Sequence, residues 1–111
     1  MIIIKRSSTY FGRITLTDGA NTFLLDDTDK MIFAVKKKPD DENEEALIKK
    51  TITSDREIEG GYGFELTPEE TDLPAGTYFY DVGIQRANGE FYHVTQPDRF
   101  IIKQSVSRKE D

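Results

Sequence analysis

Thr77-Tyr78-Phe79-Tyr80-Asp81-Val82-Gly83-Ile84-Gln85-Arg86, continued by Ala87-Asn88-Gly89-Glu90 and Phe91-Tyr92-His93-Val94-Thr95, is the stretch that decides the fold class. Tyr78, Tyr80, Val82 and Ile84 share one face, and Thr77, Asp81 and Gln85 share the other. This is the two-residue period of a half-buried β-strand. Only Phe79 breaks the polar side. An Asn-Gly pair is the strongest short-range hairpin signal, because a type I′ turn needs positive φ at both central residues. The pair therefore predicts that Phe91 to Thr95 returns antiparallel to the strand before it.

Working outward, the same period recurs in short segments separated by Gly, Asn, Asp and Pro. Tyr10, Ile14 and Leu16 alternate with Arg13, Thr15 and Thr17 up to an Asp18-Gly19 turn. Lys30 to Lys38 has two apolar faces, Met31, Phe33 and Val35 on one and Ile32 and Ala34 on the other, as a central strand does. Ile48 and Ile52 lie opposite Lys49, Thr51 and Thr53, and Tyr62, Phe64 and Leu66 alternate around Glu65. Ile2 to Lys5 and Phe100 to Lys103 read as the first and last strands. One helical turn is predicted near residues 68–72, since Thr67-Pro68-Glu69-Glu70 supplies an N-cap, a proline at the first helical position and a glutamate three residues after the cap. Pro74 ends it by disfavouring helical φ/ψ at Leu73. The expected architecture is an all-β sandwich, a single domain over residues 1–104 with a polar tail over 105–111.

Composition narrows the function classes. Of 111 residues, 36% are hydrophobic and 11% aromatic, enough to offset chain entropy in one domain and too few for two. A net charge of -6 disfavours nucleic acid and anionic membrane as partners, because both demand clustered Lys and Arg. With no cysteine there is no disulfide, thiolate nucleophile or Cys-based metal site. Met1-Ile2-Ile3-Ile4 is too short an apolar run for a signal peptide, so a cytoplasmic start is expected.

Clusters that carry chemistry elsewhere have plainer readings here. Asp40, Asp41, Glu42, Glu44 and Glu45 read as a solvated hairpin tip flanked by lysines, without the loop pattern of a calcium site. Asp26, Asp27 and Asp29 read as turn residues that satisfy local amides. His93 has no second histidine to join it, so no catalytic residue, metal site or cofactor is expected. Gly60-Gly61-Tyr62-Gly63 reads as a turn into a strand. Most tyrosines fall on apolar faces, with Tyr92 and Phe79 the best candidates for exposed rings.

Asp72-Leu73-Pro74-Ala75-Gly76-Thr77-Tyr78-Phe79-Tyr80-Asp81-Val82 resembles the tyrosine corner of immunoglobulin-like domains, with Tyr80 in the place of the second cysteine and Pro74 in that of the aspartate. The resemblance implies a structural corner of Thr67, Gly76, Tyr78 and Tyr80. In it the Tyr78 hydroxyl bonds backbone between Thr67 and Leu73, and Tyr80 fills the core between the sheets. Across nearly the whole chain, the order of motifs is similar to the small immunoglobulin-like domains of phage and prophage virion proteins, including the amino-terminal domain of baseplate upper proteins. The matching pieces are Ile2 to Arg6, Ile14 to Gly19, Phe33-Ala34-Val35-Lys36-Lys37, Leu66-Thr67-Pro68-Glu69-Glu70-Thr71, Pro74 to Val82 and Val106-Ser107-Arg108. Arg6-Ser7-Ser8-Thr9 departs from the family's first turn.

This resemblance implies an immunoglobulin-like β-sandwich of seven to nine strands. It further implies a non-enzymatic tail, baseplate or fibre protein, located in the virion after assembly in the bacterial cytoplasm. Its partners would be other virion proteins and further copies of itself. The strands expected to dock are Ile2, Ile3 and Ile4 and Phe100, Ile101 and Ile102. Three consecutive isoleucines on a terminal strand must turn one of them away from the core, which leaves Ile3 in need of a neighbouring chain or a second packed face. A carbohydrate-binding or adhesin module is the alternative.

Overall fold

A computed structural model describes residues 1–18, 21–22, 25–38, 46–59, 61–94 and 97–104. Its strands are β1 (Ile2–Lys5), β2 (Tyr10–Ile14), β3 (Thr17–Asp18), β4 (Asn21–Thr22), β5 (Lys30–Lys36), β6 (Ile48–Ile52), β7 (Glu57–Ile58), β8 (Gly61–Leu66), β9 (Gly76–Gln85), β10 (Phe91–His93) and β11 (Asp98–Lys103). The larger sheet runs β1-β11-β9-β5-β6, with β10 also paired to β9, and the smaller runs β2-β8-β7. β3 and β4 form a separate two-residue ladder. The protein is a β-sandwich, as the strand pattern predicts.

β5 is central because both its faces are apolar, and the structure places it between β9 and β6 with Met31, Phe33 and Val35 facing the core. Between the sheets Phe33 is the hub. Its ring centroid lies 4.6 Å from Phe64, 5.4 Å from Tyr80 and 6.5 Å from Phe100, distances at which aromatic pairs attract. Tyr62, Leu66, Ile52, Val82 and Ile102 are among the other core residues, and the buried Tyr62 hydroxyl accepts the Leu25 backbone N–H at 2.6 Å. The far end of the Phe64 ring reaches over Gly12, where any side chain would collide with it.

The hairpin between β9 and β10 forms as expected, but its turn is a different one. Gly89 has φ 91° while Asn88 is not in the left-handed region. The Gly89 N–H bonds the Arg86 carbonyl at 3.0 Å and the Arg86 N–H bonds Glu90 at 2.8 Å. A three-residue loop with one left-handed glycine needs positive φ once, not twice as a type I′ turn does. The parallel pairing of β1 with β11, Ile3 opposite Ile101, joins the two ends of the described chain and puts β11 inside the sheet.

Candidate functional site

The tyrosine corner is built from the turn upward. Thr67 and Glu70 form a reciprocal capping box: the Glu70 N–H donates to the Thr67 hydroxyl at 3.2 Å, and the Thr67 N–H donates to the Glu70 carboxylate at 3.0 Å. The Thr71 N–H then closes a single turn on the Thr67 carbonyl at 3.1 Å. Tyr78 is buried, and its hydroxyl donates to the Pro74 carbonyl at 2.6 Å, one residue beyond the expected span. Tyr80 packs half-buried against Phe33 and Phe100; burial, and then the Asp98 carboxylate, push its phenol above the ordinary value. Gly76 has no structural role in the corner. It does not adopt positive φ, and a Cβ there would meet open space.

The corner ties β9 to the preceding turn, and the pairing of β1 with β11 decides which end of the sheet stays open on that side. Of the six isoleucine and phenylalanine positions expected to dock, Phe100 and Ile102 are core residues, and Ile2 and Ile4 pack against the core. β11 has β1 on one side and β9 on the other, so it offers no free backbone and is corrected from a docking strand to an interior one. β1 remains an edge. Ile3 projects from its outer face beside Ile101 and is 50% exposed, so no second face built from the described residues covers it.

A second feature lies on the outer face of the small sheet, where sequence reading marked nothing. Phe11 is 74% exposed and Ile58 is 58% exposed, and both line a groove of about 380 Å³ whose floor includes Gly63. The Ile58 δ1 methyl stands 3.1 Å from where a Gly63 Cβ would be. The Arg13 side chain crosses Gly61, and its guanidinium donates to the Ile58 and Glu59 carbonyls at 3.1 and 2.8 Å. Gly61 and Gly63 therefore serve clearance within β8, not a turn. The available signal was parity: Phe11 shares the face of Arg13, and Ile58 stands between Glu57 and Glu59.

The remaining candidates behave as turns and surface. Asp29 is buried, its carboxylate accepts the Asp26 N–H at 3.1 Å, and it lies 3.7 Å from Arg86, so the turn reading of the Asp26 to Asp29 cluster is what the geometry shows. His93 is exposed, edge-on to Phe91 at 5.2 Å. Tyr92 is exposed and bonds Glu90, whereas Phe79 is half-buried. The acidic run from Asp40 to Glu45 and the tail over 105–111 lie outside the described residues. Among the described residues, no group of three metal-ligating side chains converges, and no helix is long and apolar enough to cross a membrane. Comparison with known proteins finds no family model, no curated protein and no solved structure that matches this chain.

Proposed function

We propose that this chain is a non-catalytic structural protein of a phage or prophage particle, an immunoglobulin-like tail, baseplate or fibre component that binds other virion subunits through the β1 edge. The observation that carries the reading is Ile3: an edge strand of a closed sandwich presents an exposed isoleucine beside Ile101, with neither proline nor a charge before Lys5 to block pairing. An extended segment of a neighbouring subunit can add there as a further strand, with backbone hydrogen bonds giving affinity and Ile3 giving apolar contact. The order of motifs along the chain supports the particle as the setting.

Quantitative mass spectrometry of particles purified from a culture that produces this protein tests the reading. The chain is expected in the particles at a fixed ratio to other subunits, with Ile3→Lys folded but depleted. Its absence from particles overturns the reading. One observation favours the carbohydrate alternative: Phe91, Tyr92 and His93 are all exposed on β10, Phe91 and His93 on one face and Tyr92, bonded to Glu90, on the other. The edge-on His93 interrupts the flat aromatic surface that sugar stacking uses, and a glycan array tests it directly.

A further inference from the structure

We infer that two copies of this chain pair through the free edge of β2, antiparallel about Gly12, so that their three-stranded sheets join into one six-stranded sheet. The edge is lightly guarded. β6 carries Lys49 and Lys50, and β7 is two residues long. Charged, short or bulged edges are how sheets avoid pairing. β2 has five residues and a single charge, Arg13, which is drawn back across Gly61 to the carbonyls of Ile58 and Glu59. No described strand pairs with its outer side.

Charge and register both favour a second copy as the occupant. At a net charge of -6 two copies repel over most of their surfaces, but Tyr10 to Ile14 contains no carboxylate. A two-fold axis through Gly12 sets Tyr10 opposite Ile14 of the second copy on the inner face, and Phe11 opposite Arg13 of the second copy on the outer face, each pair occurring twice. Phe11, the most exposed large apolar side chain among the described residues, then lies on the aliphatic stem of Arg13. Arg13 pairs in register with Gly63, so the ring reaches the mouth of the second copy's groove. On the inner side, Tyr10 and Ile14 are only half-buried and line a cleft of about 140 Å³ between the sheet edges, which pairing extends into a continuous apolar surface.

This pairing is independent of the particle reading, which uses β1. Sedimentation velocity of the unmutated chain from micromolar to millimolar concentration is expected to show a monomer–dimer equilibrium. Amide exchange over residues 10–14 slows as the dimer grows, while exchange over residues 2–5 does not. Phe11→Lys weakens the dimer at least about tenfold with an unchanged circular dichroism spectrum, and Ile3→Lys leaves it as it is. A strict monomer at millimolar concentration overturns the inference, as does a dimer that Ile3→Lys abolishes and Phe11→Lys spares. Should Phe11→Lys unfold the chain, exchange in the unmutated protein decides: slowing over 10–14 supports β2 pairing, and its absence overturns it.

Discussion

Tyr78 ties β9 to the preceding turn through one hydrogen bond to Pro74, and its ring is part of the core at the same time. Replacing it with Phe keeps the ring and removes the bond, so denaturant melts should show a loss of about 0.5–1.5 kcal/mol. Gly76 gives the opposite expectation. Its ordinary φ and open surroundings mean that Gly76→Ala is tolerated, and the reduced freedom of the unfolded chain should add about 0.4–1 kcal/mol. Of the four corner residues, Thr67 was legible from the capping-box spacing, whereas the Tyr78 bond and the Tyr80 packing were implied by the resemblance to a tyrosine corner, and the bond reaches Pro74, one residue past the expected span. The part assigned to Gly76 was not, because a motif records which residue stands at a position and not whether the backbone needs it there. Phe11 and Ile58 escaped for a related reason. Phe11 stands on the polar parity of β2 with Arg13, Ile58 stands in a strand too short to show alternation, and exposure at both depends on what the outer face of the assembled sheet meets.

At the scale of elements, the 67–71 turn joins β8 to β9 and also reaches β6, since the Lys50 ammonium sits 2.7 Å from the Glu70 carboxylate. Burial alone would raise the Glu70 pKa. The hydrogen bonds from Lys50 and Thr67, with the Lys50 charge, outweigh it and hold the group below its ordinary 4.5. A carboxylate with a lowered folded value stabilises fully above the unfolded value, and that contribution is lost as pH falls through the folded one. Melting temperature should therefore drop on acidification below about pH 4.5, and Glu70→Gln should flatten that part of the profile. Thr67→Ala, which removes the cap, should cost about 1 kcal/mol at neutral pH. The hairpin was legible because alternation fixes both strands. Its turn type was not, because Asn-Gly serves a type I′ turn and a turn with one left-handed glycine equally well. β5 was legible as central from its two apolar faces.

At the scale of the whole molecule, two sheets of unequal width face each other, and the proposed docking rests on the edges that remain. Local sequence carries no signal for parallel pairing between chain ends, so β11 reads as an edge until β1 is seen to cover it. That closure leaves β1, like β6, as a free edge of the large sheet among the described residues, with Ile3 outward and Lys5 exposed at its end. Lys5 offers a reactive amine at the place where a neighbouring subunit would add. Amine cross-linking of purified particles, read by mass spectrometry, therefore tests the docking claim most directly. Cross-links from Lys5 to a second virion protein, reduced in particles carrying Ile3→Lys, are the predicted result. Particles in which Lys5 reacts as a free amine and never joins another subunit would contradict the account.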